Sequence, residues 1–182
     1  LVKAIALALS SKGIHLAYKL CHAGKVTPSP TPISTRIKNK AKKIFCGRRV
    51  GLQFWQMPQG GIEEGESSEQ AMYRELHEEV GLLGEKVDLI GRTAGWLYYR
   101  LPEKYQRKVG APKCVGQKQI WFLLEFKGED SEIKLDLHAS PEFEEWAWVE
   151  YWEPLKMVVD FKRDVYSNAL RQLEPLVEKL FN

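Results

Sequence analysis

Residues 60–82 read Gly60-Gly61-Ile62-Glu63-Glu64-Gly65-Glu66-Ser67-Ser68-Glu69-Gln70-Ala71-Met72-Tyr73-Arg74-Glu75-Leu76-His77-Glu78-Glu79-Val80-Gly81-Leu82. Both ends of a helix are marked here. Ser67 and Ser68 are N-cap candidates, Glu69 and Gln70 fall in the first turn, and Gly81 supplies the stop, which predicts a helix of about thirteen residues. On it Glu75, Glu78 and Glu79 stand at i, i+3 and i+4, so their carboxylates project from one patch and repel one another. Such a run taken alone describes a solvated acidic face. Its flanks argue otherwise. Gln59-Gly60-Gly61 is suited to a tight turn that lets backbone approach a ligand, and Arg74 can pair with a carboxylate from behind and fix its rotamer. A hard divalent cation, Mg²⁺ or Mn²⁺, would relieve the repulsion and in turn hold a substrate phosphate.

Written as a pattern, Gly60, five residues, Glu66, seven residues, then Arg74-Glu75-Leu76-x-Glu78-Glu79-x-Gly81-Leu82 fixes nine positions over 23 residues. It matches the Nudix box at every specified position. Further segments resemble the RNA pyrophosphohydrolase branch of that family: Trp55-Gln56-Met57-Pro58-Gln59-Gly60-Gly61, Gly116-Gln117-Lys118-Gln119-Ile120-Trp121-Phe122, Pro141-Glu142-Phe143 with Trp146 and Trp148, and Phe161-Lys162-Arg163-Asp164-Val165-Tyr166. The likeness runs from Phe45 to Tyr166.

The resemblance implies an α/β fold, the Nudix α/β/α sandwich around a mixed sheet, in a bacterial hydrolase of phosphoric anhydride bonds. It implies conversion of 5′-triphosphate or diphosphate RNA ends to 5′-monophosphate, which promotes RNA decay. Dinucleoside polyphosphates are the alternative substrate, and an inactive RNA-binding relic is a second alternative. Two or more metal ions are implied on Glu75, Glu78 and Glu79, with help from the Gly60 carbonyl. Glu142 occupies the place of the family's extra catalytic or metal-binding glutamate, and the general base stays open among Glu142, Glu75 and Glu78. Arg49 and Lys162 are implied for phosphates, Tyr99 and Gln117 for phosphate oxygens, and Phe161 with Val159 for stacking against a base. Without the family, Glu142, Arg49 and Lys162 would read as surface charge and Phe161 as a cap on the core.

Composition fits one enzyme domain. A chain of 182 residues with 44% hydrophobic content can bury one good core. No apolar run approaches the roughly 18 residues of a membrane span, so a membrane is not expected as a partner; the resemblance to enzymes of RNA ends implies no DNA partner. Cys21, Cys46 and Cys114 are odd in number and far apart, which fits neither a disulfide framework nor paired zinc ligands and reads as reduced thiols in a cytoplasm. Strands are expected over residues 87–90, 95–101, 118–126 and 143–150, a short helix from Pro154, and a final amphipathic helix over 161–180 that Pro175 should kink or break. The run between Glu103 and Lys118 reads as a flexible loop near the substrate entrance.

The charge is divided along the chain. Residues 1–49 hold eight lysines and three arginines with no acid, and the other 133 hold 16 basic and 24 acidic residues. The family's first strand and the segment before it are not recognisable ahead of Phe45. The expectation is therefore two regions: 1–44 as an atypical basic leader and 45–182 as the Nudix domain. Residues 4–9 are marginal as the apolar part of a secretory signal, and 23–43, rich in Pro, Ser, Thr and Lys, read as a mobile linker. The chain starts with Leu. Three origins of the leader stand open: a displaced reading frame, a basic arm that holds RNA by its phosphates, or residues 5–9 and 14–20 serving as the missing strand in unfamiliar residues.

Overall fold

The apolar run near the start, Ala4-Ile5-Ala6-Leu7-Ala8-Leu9, is a strand buried on both faces. In a computed structural model, which describes residues 2–11, 42–106, 115–137 and 139–180, it lies in β1 (Val2–Ser11), the middle of a mixed eight-stranded sheet. The others are β2 (Lys42–Arg49), β3 (Trp55–Gln56), β4 (Gln59–Ile62), β5 (Val87–Arg92), β6 (Leu97–Arg100), β7 (Gly116–Phe126) and β8 (Phe143–Glu150). The order β3-β2-β1-β7-β5 forms the spine, with β4 also paired to β1, β6 to β7 and β8 to β2. β1 runs parallel to β2 and β4 and antiparallel to β7.

Side chains of β1 alternate between two cores, as strand geometry requires. Ile5, Leu7 and Leu9 pack with Met72, Leu76 and Val80 of helix α1 (Ser68–Val80). Ala4, Ala6 and Ala8 face the other core, which takes Val165, Tyr166, Ala169, Leu170 and Leu173 of helix α3 (Arg163–Lys179); the short helix α2 (Pro154–Met157) precedes it. A strand covered by helices on both sides reads as a continuous apolar run.

The division at residues 44 and 45 is therefore corrected. It falls inside β2, and Val2–Ser11 is a strand of the domain rather than part of a leader. Residues 5–9 do serve as the strand that the sequence lacked in recognisable form; residues 14–20, and 23–41 of the expected linker, lie outside the described residues. The strands and helices expected downstream are found. Pro175 does not end α3, because Leu173 and Val177 on either side of it stay buried in the core. No helix among the described residues is long and apolar enough to cross a membrane.

Candidate active site

α1 begins and ends as its residues dictate. The Ser67 hydroxyl accepts from Gln70 N while the Gln70 side chain accepts from Ser67 N, a reciprocal capping box. Gly81 closes the helix with φ 77°, the left-handed conformation glycine adopts without strain. Between these limits Glu75 and Glu79 are buried and Glu78 is half-exposed.

The glycine pair is not a turn. Gly60 and Gly61 lie within β4, beside Leu9 and Ser10 of β1. Glycine is required for a different reason: a Cβ on Gly60 would stand 1.7 Å from the Glu75 carboxyl carbon. The strand is stripped of side chain so that the glutamate can lie against it. Gly61 N donates to Glu75 Oε1 at 3.0 Å, Gln59 N donates to Glu79 Oε2 at 3.0 Å, and Ser10 Oγ donates to the Gly60 carbonyl at 3.1 Å.

Arg74 pairs with Glu75 and with further partners. Its guanidinium donates to both carboxylate oxygens of Glu66 at 2.9 Å, to Glu75 at 2.8 Å, to Glu78 at 3.0 Å and to the Gly61 carbonyl at 2.7 Å. Glu66, foremost among these partners, holds its pKa well above the ordinary range. Among the described residues no cation hydrogen-bonds to Glu79. Burial raises its pKa to about 8, the Gln59 N–H lowers it, the neighbouring Glu75 raises it and Arg49 lowers it.

Hard carboxylate oxygens, one of them buried with too little positive charge nearby, fit a divalent cation by donor chemistry and by electrostatics. Glu75, Glu78, Glu79 and the Gly60 carbonyl are the groups that could hold it. As they stand, no three His, Cys, Asp or Glu side chains among the described residues are gathered closely enough for coordination. Arg74 bridges Glu75 and Glu78 and supplies part of the compensating charge.

The end of β2 and the 3-10 turn Asp160–Lys162 contribute cations. A register shift between Arg48 and Arg49 in the pairing of β2 with β8 turns Arg49 toward Glu142, whose carboxylate accepts from its guanidinium. Val50 N also donates to the Glu142 carbonyl at 3.1 Å. Lys162 is buried: its ammonium donates to Gln59 Oε1 at 2.7 Å and Gln56 Oε1 at 3.2 Å, and burial, followed by the charge of Arg49, lowers its pKa to about 8. Arg49, Lys162 and Glu79 thus share one field.

Lys162 Nζ also lies 5.9 Å from the centre of the Tyr99 ring, and the Tyr99 hydroxyl donates to Gln117 Oε1 at 2.5 Å. Phe161 packs against Tyr99 with centroids 6.0 Å apart. Val159, partly buried, opens the 3-10 turn Asp160–Lys162, where its carbonyl accepts from Lys162 N at 3.0 Å. The fold gathers Gly60, Arg74, Glu75, Glu78 and Glu79 on one side, and Arg49, Tyr99, Gln117, Phe161 and Lys162 beside them. Glu142 joins through Arg49. Three contributors escaped sequence reasoning as site residues: Gln56, Gln59 and Ser10. The first two lie on either side of Met57-Pro58 in residues 55–61, a segment whose family likeness is their signal; nothing in the sequence ties Ser10 to Gly60.

The NUDIX domain family matches residues 33–169 of this chain. An RNA pyrophosphohydrolase of Methylococcus capsulatus is 50% identical over 138 residues, covering 76% of this chain and 72% of that protein. Another, from Shewanella loihica, is 50% identical over 139 residues, 76% of this chain and 80% of its own. Among solved structures, an E. coli dihydroneopterin triphosphate pyrophosphohydrolase superposes with TM-score 0.56 at 18% identity, covering 91% of this chain and 92% of its own. A C. elegans Ap4A hydrolase gives TM-score 0.54 at 18% identity, covering 98% and 99%. At that identity the likeness is one of fold.

Proposed function

Because the chain belongs to the Nudix family, we propose that it hydrolyses the 5′-triphosphate or diphosphate end of RNA, releasing pyrophosphate or phosphate and leaving a 5′-monophosphate. The observation that carries this reading is the 50% identity over 138 residues to the Methylococcus RNA pyrophosphohydrolase. Carboxylates set against a wall of cations and aromatic rings support it, since RNA ends are held by phosphate contacts and base stacking.

A polyphosphate resists attack because its own oxygens repel an incoming water, so the site must offset that charge and accept a proton. A divalent cation, Mg²⁺ or Mn²⁺, held by Glu75, Glu78, Glu79 and the Gly60 carbonyl supplies charge neutralisation when bound. Arg74 keeps the Glu75 and Glu78 rotamers in place through its fork of hydrogen bonds. Arg49 and Lys162 meet phosphate oxygens, with Tyr99 and Gln117 as hydrogen-bonding neighbours and Phe161 with Val159 against a base. A phosphate competes with Glu142 for Arg49. Glu142 Oε2 is then released to take the proton of the attacking water.

The test is turnover of RNA labelled at the α- and γ-phosphates, with Mg²⁺, beside diadenosine tetraphosphate. Preferential release of label from the RNA end is expected, and faster cleavage of the dinucleotide would reassign the substrate. Glu79→Gln should lower kcat by about 100-fold or more while keeping cooperative unfolding. Normal turnover by this variant would sink the site assignment.

A further inference from the structure

We propose that Tyr105 is an outer stacking platform of the same cleft, taking a nucleobase further along the RNA than the one that meets Phe161; this rests on the reading of the site as one for RNA 5′ ends. Contacts lead outward from the carboxylates in order. Glu79 accepts from Gln59 N, the Gln59 side chain accepts from Lys162, and Phe161 is the residue that precedes Lys162 in the chain. Phe161 touches Tyr99 on the core side and Tyr105 on the solvent side, with the Tyr105 centroid 5.5 Å away and the rings tilted by 44°.

Tyr105 is 52% exposed, yet it is not loosely placed. It closes the 3-10 turn Glu103–Tyr105, where its N–H donates to the Pro102 carbonyl at 2.9 Å. The buried Gln106 then anchors the chain, with Nε2 donating to the Leu101 carbonyl at 2.7 Å. A ring held by its backbone and left open to water loses little freedom when a base settles on it. Lys104 Nζ lies over the Tyr105 ring, 4.9 Å from its centroid, on an exposed side chain; an arriving base takes that face and the ammonium swings aside to meet the accompanying phosphate. Stacking on an aromatic face tolerates any base, so the gain is one of length rather than sequence.

The experiment measures KM and kcat on 5′-triphosphorylated oligonucleotides lengthened one residue at a time, for the wild-type chain, Tyr105→Ala and Tyr105→Phe. Wild-type KM should fall by roughly 5- to 100-fold at the length where a base reaches Tyr105, with kcat unchanged. That step should vanish in Tyr105→Ala and persist in Tyr105→Phe. Should the alanine variant fold poorly, Tyr105→Trp, which keeps the ring, should deepen the step. A step of wild-type size in Tyr105→Ala, an equal rise in its KM at every length, or a wild-type KM that ignores length would overturn the proposal. Wild-type protein that leaves triphosphorylated RNA intact at every length would instead remove the functional reading beneath it.

Discussion

A single hydrogen atom decides the geometry at Gly60. Any side chain there would collide with the Glu75 carboxylate, whereas Gly65, with φ +80°, has nothing within 4 Å of its notional Cβ. The two glycines are therefore kept for different physical reasons, and substituting each by alanine separates them. Gly60→Ala should cost about 1–3 kcal/mol through overpacking and should displace Glu75, so turnover falls with stability. Gly65→Ala should cost about 1–2 kcal/mol of left-handed backbone strain and leave turnover near wild type. Thermal melts and turnover on the same two variants check both outcomes. The sequence showed that Gly60 mattered, through its place in the box, but assigned it to a turn, because the clash that demands glycine is with a residue 15 positions away.

The helix and the central strand differ in how much of them could be read locally. α1 was legible to within one residue, with Ser67 and Ser68 both open as its N-cap, since its caps and its carboxylate spacing are short-range chemistry: Ser67, Gln70 and Gly81 act within a turn of the helix they bound. β1 was not. Its apolar residues sit in an acid-free stretch with the composition of a leader, and their burial depends on partners found at β2, β4 and β7, far along the chain. Unequal stability effects follow. Ser67→Ala should cost about 1 kcal/mol, the worth of an N-cap. Leu7→Ala, in a strand fully buried against α1, should cost about 2–5 kcal/mol. Equilibrium unfolding in urea measures both, and a Leu7→Ala loss no larger than that of the cap variant would contradict the central placement of β1.

At the scale of the whole molecule the buried carboxylate couples stability to pH and to metal. The folded pKa of Glu79, about 8, lies above its ordinary 4.5 because burial disfavours the charged form. Its contribution to stability is thus fully present below pH 4.5 and is lost as pH rises through 8, on the order of a few kcal/mol for the metal-free protein. A divalent cation reverses the trend, since it binds the folded, deprotonated site. Melting in EDTA should show Tm falling between pH 5 and pH 8, and added Mg²⁺ or Mn²⁺ should raise Tm more at pH 8 than at pH 5; an equal rise at both would disconnect Glu79 from the ion. What the sequence by itself determined was the helix, its limits and the three carboxylates on one face, because capping and the 3.6-residue period act between near neighbours. Only the tertiary structure decided that Val2–Ser11 is the middle strand, that Glu75 lies against a bare Gly60, and that Arg49 and Lys162 share the field of Glu79. Those relations join residues 15 to more than a hundred positions apart, and strand register and tertiary packing bring them together where no local pattern can.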